Sequence, residues 1–292
     1  MSEPLRQSCA DEGFVWPPGQ PRDRVAGGEG EPALAPMPRV PEVTGWRAAL
    51  LDVERTWLGL ERGAFEDVVA EANWRPDAAA TYCARCGLDA GGHETLDPLI
   101  AAAGEAGCVE CRGEPRGWDR VIRLGKYEGV LRRLVLEVKF SRARGIGAGL
   151  GEVLGACVQR DLRVAGDRYG RVVVVPMPTG FTRRMSRGID HTRVLGGGVA
   201  SVMGLGVSPW LTRRTRPAQS TRSVAARRTN VAGSMDWSWR GRMALGGGGG
   251  EGMLVVLVDD VMTTGATAAE ACRVLRGRLG AAEIWLAVGA VV

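Results

Sequence analysis

An α/β fold built around a parallel sheet is predicted by three features of this 292-residue chain. Two short runs, Arg171–Val175 and Leu254–Val258, consist almost entirely of aliphatic residues, most of them β-branched. Such runs are typical of strands that are buried on both faces of a parallel sheet. A helical pattern follows each run, near Gly188–Met203 and Thr267–Leu279. This alternation favours a doubly wound sheet flanked by helices.

The remaining elements of this domain, predicted to span residues 118–292, follow from their hydrophobic patterns. Val121–Tyr127 is predicted to be an edge strand. Glu128–Phe140 places its apolar side chains on one helical face and most of its charges outside that face, which predicts a helix. Ile284–Val292 is a third apolar strand.

Three further parts are predicted before this domain. Residues 1–45 are rich in proline and glycine and have no sustained hydrophobic period, which predicts a disordered arm. Residues 46–76 carry apolar side chains at spacings of three and four, which predicts an amphipathic helical segment. Residues 77–117 have little aliphatic periodicity and contain two Cys-x-x-Cys pairs, so they are predicted to form a small separate unit.

Composition and charge exclude two classes of protein. The longest aliphatic runs are far shorter than the roughly twenty residues of a membrane-spanning helix. Met1–Ala10 lacks the apolar stretch of a secretory signal, so a cytoplasmic location is expected. Seven cysteines in a chain of this length do not make a disulfide scaffold. The net charge is +5, and all but two of the 38 basic residues are arginines, which suit forked contacts with phosphate or carboxylate.

The most informative segment leads from the strand Leu254–Val258 through two aspartates into a turn and a helix. A turn that opens a helix presents unpaired backbone N–H groups to an anion, and Gly265 permits a close approach. Carboxylates at the end of such a strand can accept hydrogen bonds from ribose hydroxyls or hold water around magnesium. Helix capping is the alternative role for these residue types, but their order favours sugar and phosphate binding. The candidate residues are Asp259, Asp260, Thr263, Thr264, Gly265, Ala266 and Thr267.

This segment, Val258–Thr267, resembles the phosphoribosyl pyrophosphate (PRPP) loop of type I phosphoribosyltransferases. The resemblance implies that the acids contact the ribose hydroxyls, that the turn binds the 5′-phosphate, and that Mg²⁺ accompanies PRPP. Other segments agree in order with the ComF (competence protein F) branch of that superfamily. Leu136–Phe140 is similar to the helix-terminal Lys-Phe pair of that branch, although Lys139 could equally complement the helix dipole.

Two arginine-containing segments extend the resemblance. The first is similar to the loop at which type I enzymes bind pyrophosphate, and arginine forks can neutralise the charge of a departing pyrophosphate. A solvated basic loop is the alternative. Its candidate residues are Pro176, Met177, Pro178, Arg183, Arg184 and Arg187.

The second arginine-containing segment resembles a flexible loop of the family. It suits a flap over a polyphosphate or a patch for nucleic acid, although Arg216 stands where a threonine is usual. Its candidate residues are Arg213, Arg214, Gln219, Arg228 and Asn230.

The paired cysteines predict a structural zinc site. Two Cys-x-x-Cys pairs separated by 21 residues supply four thiolates, which Zn²⁺ binds as a tetrahedron. Redox-active or unligated cysteines are the alternatives. The resemblance agrees with zinc, because ComF proteins carry a zinc finger before the transferase domain. The predicted ligands are Cys83, Cys86, Cys108 and Cys111.

The resemblance covers roughly residues 80–292 and implies a type I phosphoribosyltransferase-like domain preceded by a zinc ribbon. The implied chemistry is attack of a nucleophile, usually nitrogen, on the anomeric carbon of PRPP, with loss of pyrophosphate. The sequence identifies neither a general base nor the acceptor. The alternative function is a non-catalytic PRPP sensor or an accessory of DNA uptake, whose partners would be single-stranded DNA or the competence machinery. Type I domains often pair, so a homodimer is compatible with the resemblance.

Overall fold

The computed structural model describes residues 63–89, 107–140, 144–180, 189–214, 232–244, 250–280 and 282–292. The predicted arm at residues 1–45 lies outside these ranges, as does most of the helical segment before residue 63. The candidate residues outside them are Arg183, Arg184, Arg187, Gln219, Arg228 and Asn230.

Four parallel strands form the central sheet in the order β1-β6-β5-β2. A separate antiparallel pair consists of β3 and β4. The strands are β1 (Arg120–Lys126), β2 (Arg171–Pro176), β3 (Leu211–Arg213), β4 (Met235–Trp237), β5 (Met253–Met262) and β6 (Glu283–Val291). The helices are α1 (Gly63–Glu71), α2 (Gly129–Phe140), α3 (Arg144–Ala165), α4 (His191–Val202), α5 (Trp239–Ala244) and α6 (Ala266–Leu279). Ala79–Thr81 and Gly166–Arg168 are single 3₁₀ turns.

The predicted α/β class is confirmed. All four predicted strands and the three predicted helices of the domain are present, within a few residues of the expected bounds. One difference affects the site: β5 continues beyond Val258 to Met262, because its pairing with β6 continues as far as Met262 and Val291. The two aspartates therefore lie on the strand itself.

The sheet has one core on each face. Because side chains alternate along a strand, Val255 and Leu257 of β5 face α6, whereas Leu254 and Val256 face α3 and α4. Both sets are fully buried, which explains the wholly apolar sequence of this strand. In the part of the chain that is described, no helix is long and apolar enough to cross a membrane.

The longest helix, α3, has no counterpart in the predictions. It contains five glycines at positions 145, 147, 149, 151 and 155, and glycine is a poor helix former. Their role is tertiary. A Cβ at Gly151 would overlap the carbonyl oxygen of Leu195 in α4, and one at Gly198 of α4 would overlap the carbonyl oxygen of Ala148 in α3. Glycine therefore lets the two helices pack with their backbones in contact.

We predict that Gly151→Ala lowers the free energy of unfolding by about 1–3 kcal/mol, the usual cost of overpacking a core. Gly197→Ala is the matched control, because no atom lies within 4 Å of a Cβ built there. It should raise stability by about 0.5–1 kcal/mol through helix propensity. Urea unfolding of the two variants measures both effects, and a neutral Gly151→Ala would show that the helices can separate freely.

Candidate functional site

The candidate site lies where the parallel strands end. The chain leaves β2 and β5 at the same edge of the sheet, which is where open α/β sheets bind ligands. Pairing between these strands extends past Pro176, because the Met177 N–H donates to the Val258 carbonyl oxygen at 2.8 Å. The loops that follow β2 and β5 therefore start side by side.

The adjacent aspartates of β5 point to opposite faces of the sheet, as alternation along a strand requires. Asp260 turns towards α2 and α4, where its Oδ2 lies 3.0 Å from Lys139 Nζ and 2.9 Å from His191 Nε2. Asp259 turns towards α6 and lines a pocket at the start of that helix. One carboxylate is thus held by partners within the protein, and the other is presented to the pocket.

These environments shift the pKa values of the two carboxyl groups in opposite directions. Burial raises the pKa of Asp259 well above its ordinary value, and the neighbouring charge of Asp260 raises it further. Burial also acts to raise the pKa of Asp260, but the hydrogen bond with His191 and the charge of Lys139 outweigh it and lower the pKa to about 2. Asp260 is therefore the ionised member of the pair.

The pocket beside Asp259 is small, with a volume of about 50 Å³. The end of β5, the turn at residues 263–265 and the first residues of α6 line it, together with Leu286 and Val288 of β6. Gly265 precedes the first residue of α6 and has a left-handed φ of 71°, which favours glycine. The helix-opening N–H groups and the threonine hydroxyls of the turn are the donors that a phosphate needs. The lining includes Asp259, Thr263, Thr264, Gly265, Ala266 and Thr267.

The loop after β2 is fixed to the start of α4. The Thr192 hydroxyl donates to the Met177 carbonyl oxygen at 2.7 Å, and the Thr179 hydroxyl donates to Asp190 Oδ1 at 3.0 Å. Arg213 of β3 also comes close, since a Cβ at Gly180 would lie 3.8 Å from its Cδ. The structure therefore brings Pro176, Met177, Pro178 and Arg213 to the same edge as Asp259.

Sequence reasoning did not identify His191, and it left the role of Lys139 open. Both contact Asp260, so the Asp260 carboxylate joins the end of α2 to the beginning of α4 through β5. One signal in the sequence could have pointed to His191: it is the first residue of a helix that is capped by Asp190. The contact itself depends on how α4 packs against the sheet.

Arg214 and two nearby tryptophans have different environments. The Nη2 of Arg214 pairs with Asp236 at 2.7 Å, and the Arg214 side chain is mostly exposed. Trp210 and Trp237 are buried and packed on each other with ring centroids 5.8 Å apart, so neither ring is available to stack with a nucleic-acid base.

The four cysteines of the two pairs form one buried cluster. All four Sγ atoms lie within 4.8 Å of one another, and three of the Sγ–Sγ distances are 3.5–3.8 Å. A tetrahedral ion with Zn–S bonds of about 2.3 Å requires Sγ–Sγ distances of about 3.8 Å. The donor set and spacing therefore fit a structural zinc ion bound by Cys83, Cys86, Cys108 and Cys111.

Comparison with known proteins adds distant relatives. The DNA utilization protein YhgH of Escherichia coli strain K12 is 28% identical over 207 residues, which cover 70% of this chain and 82% of that protein. YhgH of Salmonella typhi matches with the same identity and coverage. Competence protein F of Haemophilus influenzae is 26% identical over 179 residues, 61% of this chain and 75% of that protein.

This chain is a distant homologue of YhgH and Competence protein F. No protein-family model matches it. The expected relationship to the ComF group is thereby confirmed at the level of sequence homology.

We predict opposite effects on stability for the two aspartates. Asp260→Asn should lower the free energy of unfolding by about 1.5–3 kcal/mol, because charge-assisted hydrogen bonds to Lys139 and His191 are lost. Asp259→Asn should raise the melting temperature, since it removes a buried charge whose ionisation opposes folding. Thermal unfolding at pH 5, 6.5 and 8 measures both.

The direction of each pKa shift determines how the stability contribution of that aspartate changes with pH. The folded-state pKa of Asp260 is depressed, so its stabilisation is present above about pH 4 and is lost only as the pH falls towards 2. The folded-state pKa of Asp259 is raised, so wild-type stability falls as the pH rises through that value. The advantage of Asp259→Asn should therefore widen from pH 5 to pH 8. Equal destabilisation by both variants would contradict the opposite environments.

Proposed function

We propose that this protein binds PRPP with Mg²⁺ at the pocket beside Asp259 and transfers the phosphoribosyl group to a nitrogen nucleophile. The observation that supports this most directly is the juxtaposition in that pocket of a carboxylate and a helix-opening turn rich in hydroxyl groups. A phosphorylated sugar needs both features: acceptors for its hydroxyl groups and donors for its phosphate.

In this proposal the 5′-phosphate sits against the turn at residues 263–267. Its backbone N–H groups and the hydroxyls of Thr263, Thr264 and Thr267 donate to the phosphate oxygens. Asp259 accepts hydrogen bonds from the ribose hydroxyls once it is ionised. Because burial raises the pKa of Asp259, ligand binding that stabilises its ionised form should release a proton at a pH below that raised pKa.

In this proposal the loop after β2 receives the pyrophosphate. Its backbone is held by Thr192 and Asp190, and the side chain of Arg213 lies beside Gly180. A fixed guanidinium there would stabilise the charge that develops on the leaving group. Mg²⁺ would supply further neutralisation of the pyrophosphate oxygens. Positioning of PRPP by these residues is the main contribution of the protein to the reaction.

The names of the relatives suggest a biological setting. One group is named for DNA utilization and the other for competence. We infer by homology that the present protein also acts in the handling of imported DNA or its products. A phosphoribosyl transfer and a role in DNA use are compatible, because nucleobases and nucleotides contain the nitrogen nucleophiles that such a reaction requires.

Isothermal titration with PRPP and Mg²⁺ tests the binding step. Wild type should bind, and Asp259→Asn should weaken binding about tenfold or more, because a charge-assisted hydrogen bond to the ribose is lost. Asp167→Asn is the matched control, since this exposed aspartate lies in the turn before β2, at the opposite edge of the sheet.

Separate titrations with ribose 5-phosphate and with pyrophosphate test the binding of each half of PRPP. The turn variant Thr264→Val should weaken binding of ribose 5-phosphate and leave that of pyrophosphate unchanged. No binding of PRPP by wild type, or equal binding by wild type and Asp259→Asn, would show that the proposal is wrong.

A second candidate function, binding of single-stranded DNA, is favoured by the surface of α5. Trp239 is 70% exposed, and the guanidinium of Arg240 lies 5.4 Å from its ring centroid. Arg242 is also largely exposed on this short helix. An exposed aromatic ring among arginines is the arrangement on which bases stack while the backbone is neutralised. We define the α5 surface as Trp239, Arg240 and Arg242.

Fluorescence anisotropy with a labelled oligothymidine tests the α5 surface. Trp239→Ala should weaken binding about fivefold or more, because base–aromatic stacking contributes about 1–3 kcal/mol per base. Arg240→Ala should reduce the slope of affinity against salt. Phe140→Ala and Arg163→Ala are the matched controls for an exposed aromatic residue and an exposed arginine elsewhere. If neither α5 variant changes the affinity for the oligonucleotide, any DNA site lies elsewhere.

A further inference from the structure

The first cysteine turn is hydrogen-bonded directly to the α/β domain. We call residues 83–87 the first knuckle. Its Arg85 carbonyl oxygen accepts a hydrogen bond from Trp118 Nε1 at 2.8 Å. Its Gly87 carbonyl oxygen accepts one from Arg123 Nη1 at 2.6 Å, and Ala84 accepts one from the β1 backbone. Three carbonyl groups of the knuckle are thus hydrogen-bonded to β1 and to Trp118, which precedes it.

The same tryptophan reaches the turn that would bind phosphate. Trp118 is buried, and its ring lies against Gly265: a Cβ built there would come within 2.6 Å of Trp118 Cη2. A second contact runs in parallel, because a Cβ at Gly87 would come within 3.1 Å of Met262 Cε. The first knuckle therefore reaches the segment 262–265 directly at Met262 and, through Trp118, at Gly265.

Trp118 is also fixed to the body of α6. The Arg276 side chain donates to the carbonyl oxygen of Gly117 at 3.0 Å and to Asp119 Oδ2 at 2.6 Å. Because these bonds lie on both sides of Trp118, the ring is held between the knuckle and the first turn of the helix. Its position cannot change without moving one of them.

We propose that Trp118 is a positioning residue that holds the phosphate-binding turn in place from the cysteine cluster. Tight binding of a phosphate then depends on the metal-filled cluster, although none of the four cysteines of that cluster lines the pocket. The expected change in affinity for PRPP rests on the proposed function. The expected change in hydrogen exchange of the turn does not.

The physical argument concerns the freedom of the turn. Gly265 has φ of 71° and, as glycine, can adopt other backbone conformations at little cost. Tight binding of an anion requires that the backbone N–H groups that follow Gly265 already point to one place before the ligand arrives. The buried Trp118 ring restricts that freedom. The shape of the knuckle in turn depends on the cysteine cluster. The knuckle supplies Cys83 and Cys86, and all four Sγ atoms of the cluster lie within 4.8 Å of one another.

The test compares two conservative variants of the zinc-loaded full-length protein. Trp118→Phe removes the hydrogen bond to Arg85 and the ring edge against Gly265. Trp285→Phe is the matched control: Trp285 is also buried, and its Nε1 donates to Glu283, but it packs in the core on the opposite face of the sheet. Zinc content, the melting temperature and hydrogen exchange of the amides at 264–268 are measured for each.

With about one zinc ion per chain, Trp118→Phe should increase exchange at 264–268 about tenfold, the effect of roughly one lost hydrogen bond. It should raise the Kd for PRPP by a similar factor. Trp285→Phe should lower the melting temperature and leave both quantities unchanged. Unchanged exchange in zinc-loaded Trp118→Phe would overturn the proposal. If exchange rises as expected but wild type does not bind PRPP, the proposed function fails and the positioning role stands.

Removal of the metal from wild type gives a second, independent measurement, which also decides the matter if Trp118→Phe does not fold. A chelator should increase exchange at 264–268 while α3, on the opposite face of the sheet, keeps its protection. An increase confined to the knuckle residues, or an equal loss of protection in α3, would contradict a coupling through Trp118.

Discussion

The strand β5 imposes the constraint on which the rest of the structure depends. It is paired on both sides and buried on both faces, so neither its register nor the direction of its side chains can change without exposing one of the two cores. When such a strand ends in two adjacent aspartates, alternation sends them to different faces. Asp260 meets Lys139 and His191, and Asp259 meets a pocket. Two chemically identical groups thereby acquire opposite electrostatic environments.

The elements around β5 supply what each carboxylate meets. On one face, the close contact of α3 with α4 depends on glycines such as Gly151 and Gly198, and α4 carries His191 towards Asp260. On the other face, α6 opens at Gly265 under the ring of Trp118. The cysteine cluster is therefore more than an adjacent unit. Its first knuckle is bonded to the residues that fix the turn beside Asp259.

Much of the fold and part of the site could be predicted from local patterns. The apolar run Leu254–Val258 and the order of residues after it placed Asp259 and Gly265 at the end of a buried strand. The helix α3 could not be predicted in this way, because its glycines lower helix propensity and are explained only by the backbone of α4. The burial of Trp210 could not be predicted either, since an isolated tryptophan in the sequence does not show that another ring will cover it.

The sequence by itself determined the α/β class, the candidate phosphate turn and the four cysteines that gather into one cluster, because each depends on residue type and short spacing. Tertiary structure alone decided that Asp259 and Asp260 differ, that His191 belongs beside them, and that Trp118 joins the cysteine cluster to Gly265. These contacts join residues that are far apart in the chain. Their partners are set by the packing of whole helices and strands, which no local pattern specifies.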